Sequence, residues 1–208
     1  MDYTSIDRIP AEATGTSADQ REAPRYISLI RAAKLISSQG EFVCVIRDVS
    51  ALGIGLRLFH ELPVGNHFAL ELQNGETFEL EKVREHEREA SFTFAKPVCV
   101  EELISENWTY PKRQLRLNIA LPLTVSSLSG RAEAIAENLS QQGCRLDCDS
   151  AFAIDQIVRI QGDKVPEIRA KVRWRKGTSY GLVFESTFTL REFAHLAASL
   201  QCPQLLRV

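Results

Sequence analysis

The chain has 208 residues, 44% of them hydrophobic and 25% charged, with 25 Lys and Arg against 27 Asp and Glu for a formal charge of −2. At a usual ~150 residues per domain this is one to two domains with room for real cores, and the composition excludes collagen-like and wholly disordered chains. The near-neutral balance excludes a whole-molecule basic field of the kind that draws in nucleic acid or anionic membrane, so any anion site must be local.

No stretch approaches the ~20 apolar residues of a membrane helix, and the first 20 residues carry acids and lack an apolar h-region. The expected compartment is therefore the cytoplasm, with no membrane insertion. Residues 1–20 mix Thr, Ser, Ala, Gly and acids without apolar periodicity, and read as a flexible N-terminal tail.

Beyond the tail the chain repeats itself. IRDVSALGIGLRL, with Asp48, Ser50 and Gly53, lines up with AENLSQQGCRLDC, with Asn138, Ser140 and Gly143, at an offset of about 90 residues. REAPR, with Arg21 and Arg25, lines up with KRQLR, with Lys112 and Arg116. KVREHEREASFTF, ending at Phe94, lines up with KVRWRKGTSYGLVF, ending at Phe184. Three landmarks in constant order predict two homologous domains, residues 21–108 and 109–208, joined near Asn107 to Pro111.

In the first unit EFVCVIRD, GIGLRLF, HFALELQ and ETFELEKV read as strands of roughly five to eight residues, parted by turn signals such as QNG. KVREHERE reads as a solvated strand and turn. The segment VCVEELISEN reads as a short helix. In the second unit LNIALPLTVSS, RAEAIAEN, GCRLDC, QIVRIQ, EIRAKVRW and SYGLVFES give six strands. TLREFAHLAASL then reads as a helix, with Thr189 and Glu192 as its capping box and Leu190, Phe193, Ala194, Ala197 and Leu200 as its apolar stripe. Closely spaced strands with no long helix between them predict a mainly β chain of two six-stranded antiparallel barrels, each followed by a short helix.

Two polar elements stand out. Arg21 and Arg25 precede the first strand, and two guanidiniums converging on one anion offer planar donor forks for phosphate oxygens or a guanine O6/N7 edge. Asp48, Ser50 and Gly53 fall on the turn after EFVCVIRD. A carboxylate there accepts from the N1–H and N2–H2 donors of guanine, a hydroxyl adds a hydrogen bond, and glycine permits close approach.

In this order and spacing, R-x-x-x-R followed by [D/N]-x-S-x-x-G resembles the PilZ family, and the repeat makes the chain resemble a tandem PilZ protein. The resemblance implies a non-enzymatic receptor for cyclic di-GMP. Arg21 and Arg25 would clasp guanine and phosphate, with Asp48, Ser50 and Gly53 lining the other side. Ordering of the arginine segment would then alter contacts with an unidentified bacterial protein partner. The second unit departs from the pattern: Lys112 replaces the first arginine and Asn138 the aspartate, while Arg113, Arg116, Ser140 and Gly143 are kept. It reads as a weak or silent site, with a packing or partner-contact role as the alternative. The alternative is a protein–protein adaptor of the same fold that binds no nucleotide.

The remaining candidates carry less. His60, His67, His86 and His195 are scattered, and no nucleophile elbow, P-loop or H-E-x-x-H is present, so no catalysis is inferred. Cys144 and Cys148 have a C-x3-C spacing without neighbouring histidines. In an alternating strand they read as buried small apolar groups, and neither a metal nor a cofactor is expected. Cys44, Cys99 and Cys202 complete an odd set of reduced thiols. Trp174 and Tyr180 read as core or rim aromatics. A nucleic-acid-binding barrel would want a basic groove with interleaved aromatics, which the charge and the 8% aromatic content disfavour. The oligomeric state is left open, because the stripe of the last helix could serve its own barrel or a second copy.

Overall fold

A computed structural model describes residues 26–104 and 114–206, with side chains from residue 31 in the first stretch. The tail and the junction at 105–113 lie outside the described residues. The first unit contains β1 (Tyr26–Ser37), β2 (Gly40–Val49), β3 (Gly53–Leu58), β4 (His67–Glu71), β5 (Thr77–His86), β6 (Glu89–Phe94) and α1 (Val100–Ile104). Its six strands close into an antiparallel barrel in the order β1-β2-β3-β6-β5-β4.

The second unit contains β7 (Arg116–Leu117), β8 (Leu121–Ser127), β9 (Gly130–Ser140), β10 (Gly143–Asp147), β11 (Ile157–Gly162), β12 (Val165–Lys176) and β13 (Ser179–Phe184), followed by α2 (Leu190–Gln201) and a 3-10 turn, Pro203–Leu206. Strands β10-β13-β12-β11-β8-β9 form the ring, closed by β9 on β10, and β7 adds to β9. Two closed barrels of like topology fit a tandem arrangement.

The strands differ from the expected lengths. β1 and β12 run to 12 residues, and β1, β2, β9 and β12 all shift register part-way, as between Asp48 and Ile46 on β2. A closed six-stranded ring needs strongly bent strands, and a bulge lets one strand turn a corner without ending. β1 is continuous, whereas its counterpart breaks at 118–120 into β7 and β8. Pro122 sits at the start of β8, where a missing donor is tolerated.

Each barrel has its own core. Ala33, Leu35, Cys44, Ile46, Ile54, Leu56, Leu70 and Phe92 fill the first, and Leu117, Leu146, Val158, Ile160, Ala170, Val172, Tyr180 and Leu182 are among those filling the second. Tyr180 is fully buried and donates its hydroxyl to the Ser150 carbonyl at 2.8 Å, which satisfies its polar end. Trp174 lies at the rim, 41% exposed.

Helix α2 has the anticipated capping box. The Glu192 amide donates to Thr189 Oγ1 at 3.2 Å, and the Thr189 amide and hydroxyl both donate to Glu192 Oε2 at 2.8 Å; the two bonds to the carboxylate hold it below its ordinary range. Its buried face includes Ala198 as well as Phe193, Ala194 and Ala197, wider than a one-sided stripe requires. The extra width has a cause: α2 packs on both barrels. Phe42 of β2 clusters with Ala198, Cys202 and Leu205, while Val43 joins the second barrel's core.

Polar contacts reinforce this seam. Gln201 bonds the Glu41 backbone twice, accepting from its amide at 2.9 Å and donating to its carbonyl at 2.6 Å. Glu61 donates its amide to the Leu205 carbonyl at 3.0 Å, and His195 donates Nε2–H to the Phe59 carbonyl at 2.9 Å. Lys34 is buried and pairs with Glu41 and Glu71, both at 3.1 Å. Glu41 in turn accepts from the Asn118 amide and side chain at 2.7 and 2.9 Å. His60 is also buried here, edge-on to Phe42, and its Nδ1 bonds the Glu61 carbonyl at 2.7 Å; burial pulls its pKa down.

Candidate functional site

The two motif turns are built alike. In the β2–β3 turn the Ser50 amide and hydroxyl both donate to the Gly53 carbonyl, at 2.8 and 3.2 Å, and the Gly53 amide donates back to Ser50 Oγ at 3.1 Å. In the β9–β10 turn the buried Ser140 hydroxyl donates to the Gly143 carbonyl at 3.0 Å. Both serines spend their hydroxyls on the turn itself, so their first role is to lock its shape.

The glycines permit close strand packing. A Cβ on Gly53 would stand 2.8 Å from the Phe92 carbonyl oxygen, and one on Gly143 would run into the Leu182 carbonyl oxygen. Neither has a positive φ, so the constraint is space rather than backbone conformation. Asp48 is half-buried and its carboxylate lies across Gly55 on β3, where the missing side chain leaves room.

The strand entering each barrel runs beside its turn. Arg116 pairs with Ser140 and Leu117 with Leu139. In the first barrel Tyr26 pairs with Val49 and Ile27 with Asp48, the equivalent register at the expected offset. Arg21, Arg25, Lys112 and Arg113 lie outside the described residues.

In the second barrel the predicted residues come together. Arg116, Asn138, Ser140 and Gly143 line one open cavity of about 780 Å³. That volume falls in the usual range for small-molecule sites. Arg116 is exposed, and neither its guanidinium nor the Asn138 amide has a bond or ion-pair partner among the described residues. Side chains outside the motif also share the cavity, among them Arg145, which pairs with Glu137 at 2.6 Å, Arg173, 3.6 Å from Asp155, and Trp174. The Trp174 indole lies over Gly181, whose lack of a Cβ makes that position possible. The W-x6-G spacing of the second unit, Trp174 to Gly181, is the signal that could have placed Trp174 here.

The first barrel closes one side of the same cavity with its β4–β5 turn, residues 71–75. Nothing in the local sequence of that turn announces this, because it is set by how the barrels dock. A cavity with guanidiniums, an amide and an indole plane offers donors to an anion, mixed bonding to a base edge and a stacking surface.

Cys144 also lines the cavity, but burial pushes its thiol up to about 12, as it does that of Cys44, so neither is a nucleophile at neutral pH. Cys148 and Cys202 are buried too, and Cys99 is exposed. A short maleimide treatment of the native chain should label Cys99 alone, read by peptide mass mapping. Rapid labelling of Cys144 or Cys148 would contradict the packing. Among the described residues no group of three His, Cys, Asp or Glu is placed to hold a metal, and no helix is long and apolar enough to cross a membrane.

Residues 111–201 match the family model of the PilZ domain. No curated protein matches the chain by sequence. Among solved structures, the chain is similar to the PlzA protein of Borreliella burgdorferi in complex with c-di-GMP, at 10% identity and a TM-score of 0.34, covering 82% of this chain and 87% of that one. It is similar to the inhibitor of motility MotI/DgrA of Bacillus subtilis, at 13% identity and a TM-score of 0.34, covering 86% and 98%. MrkH of K. pneumonia in its apo state gives 12% identity and a TM-score of 0.34, covering 82% and 87%.

Proposed function

We propose, from the match of residues 111–201 to the PilZ domain model and from the repeat of the motif in the first unit, that the chain is a tandem PilZ protein acting as a non-enzymatic receptor for cyclic di-GMP. The observation that carries the reading is the motif turn built twice, each beside the strand that continues an arginine-bearing segment. Cyclic di-GMP presents two phosphates and two guanines. Guanidinium forks suit the phosphates and Hoogsteen edges, and an acceptor suits the Watson–Crick edge.

The first barrel has the complete set, Arg21, Arg25, Asp48, Ser50 and Gly53, and is the proposed main site. Tyr26 and Ile27 pair with Val49 and Asp48, so the chain following Arg25 is held against the motif strand. Ligand then orders the arginine segment and changes what the surface offers a partner protein. A second reading, with the ligand in the second barrel, is favoured by the cavity that gathers Arg116, Asn138 and Trp174. Lys112 lacks a planar fork and Asn138 turns a donor toward guanine donors, which weakens that site relative to the first.

Calorimetric titration with cyclic di-GMP tests both. Arg21→Ala, Arg25→Ala and Asp48→Ala should each weaken the main site by roughly 1–3 kcal/mol, or about 5- to 150-fold, without loss of fold. Lys112→Ala should matter far less. If Arg116→Ala and Asn138→Ala abolish the heat and Arg25→Ala does not, the ligand belongs to the second barrel. Absence of heat in the wild type would leave the adaptor reading.

A further inference from the structure

A smaller cavity of about 430 Å³, none of whose lining residues belongs to the motif, opens in the seam between the barrels. Four arginines line it: Arg47 on β2, Arg57 on β3, Arg88 in the β5–β6 turn and Arg191 in the first turn of α2. The first three belong to one barrel and the fourth to the other. Val45, Leu58 and Phe59 complete the walls.

The charges there are not balanced. Arg47 pairs with Glu89 at 2.7 Å. Arg57 has Glu89 as its cross-strand neighbour, yet that carboxylate is bonded to Arg47. The side chains of Arg57, Arg88 and Arg191 have no ion-pair or hydrogen-bond partner among the described residues.

Arg191 is doubly unfavourable where it stands. It sits in the first turn of α2, at the positive end of the helix dipole, where acids rather than cations are stabilising. In the seam, His60 is disfavoured as a cation first by burial and, to a lesser degree, by the Arg88 guanidinium. Like charges gathered from two barrels around one hollow cost stability unless something negative fills it.

We infer that this arginine-lined hollow between the barrels is a second binding site, for a compact anion bearing phosphate groups. Guanidinium forks match phosphate oxygens bidentately, and a hollow of this size admits a diphosphate or a phosphorylated side chain rather than a folded partner. Because its donors come from both barrels, the bound anion ties them together and stabilises the docked arrangement.

The test uses the full chain in phosphate-free buffer, with inorganic pyrophosphate and O-phosphoserine as probes in separate titrations. The two arms distinguish a free diphosphate from a side-chain phosphate. Pyrophosphate should bind saturably and raise the melting temperature, as any ligand of the folded state does. Arg57→Ala and Arg191→Ala should each weaken it about tenfold, the scale of one lost charged hydrogen-bond pair. The double variant should lose the thermal shift and keep its cyclic di-GMP response, since neither residue lines a motif site. Unsaturated, salt-like uptake of both probes, or equal pyrophosphate affinity in the wild type and the double variant, would overturn the assignment.

Discussion

Replacing Phe42 by alanine should cost about 3–5 kcal/mol and uncouple the two barrels before either unfolds. Phe42 is fully buried, yet it clusters not with the first barrel's core but with Ala198, Cys202 and Leu205 across the seam. Its ring also meets His60 edge-on at 5.1 Å between centroids. Truncation leaves a hollow between α2 and β2 that neither side can collapse into, because Val43 and the Gln201 bonds to Glu41 hold the backbones in place. Differential scanning calorimetry is the measurement. The wild type should unfold in one transition, and Phe42→Ala in two, the first at lower temperature. A single unshifted transition would show that the seam contributes nothing to cooperativity.

The other large effect concerns the second motif turn. Gly143→Ala places a methyl group against the Leu182 carbonyl oxygen, and because the obstacle is backbone, no side-chain rotation relieves it. β10 and β13 must part where Gly143 pairs with Val183. Overpacking of this kind usually costs roughly 1–3 kcal/mol, and a rigid backbone partner puts this case at the upper end. Gly53→Ala faces the Phe92 carbonyl oxygen at 2.8 Å and should cost less. Urea denaturation of the two variants gives the comparison; an unchanged midpoint for Gly143→Ala would refute the crowding. The glycine of the motif is thus required by the hairpin before any ligand arrives, and loss of binding in such a variant cannot be assigned to a missing contact.

The duplication, the strand alternation and the α2 capping box were all legible in the sequence, because each is a local or periodic signal. Buried Cys144, Leu146 and Cys148 follow from alternation alone. β1 was harder to see: Arg31, Ala32, Ala33 and Lys34 interrupt its apolar pattern. Lys34 is buried by tertiary pairing with Glu41 and Glu71 rather than by any apolar character of its own. The bulges that let strands run to 12 residues leave no composition mark. The site was legible only in its motif residues. Trp174 and the β4–β5 turn reach the same cavity through barrel closure and docking, and docking rests on contacts such as Glu41 to Gln201, 160 positions apart. Gly40, with φ of +134° at the β1–β2 hairpin, looks like an ordinary turn residue, yet a Cβ there would collide with the Gln201 side chain. No neighbourhood in the sequence contains both halves of such a contact.

The placement of α2 has a consequence for biosynthesis. β2 leaves the ribosome about 150 residues ahead of the helix that covers Phe42. At translation speeds of ~5–20 residues per second, the nascent first barrel presents an oily, uncapped flank for roughly 8–30 s. That interval is when the growing polypeptide is most open to chaperone capture or to sticking to its neighbours on a polysome.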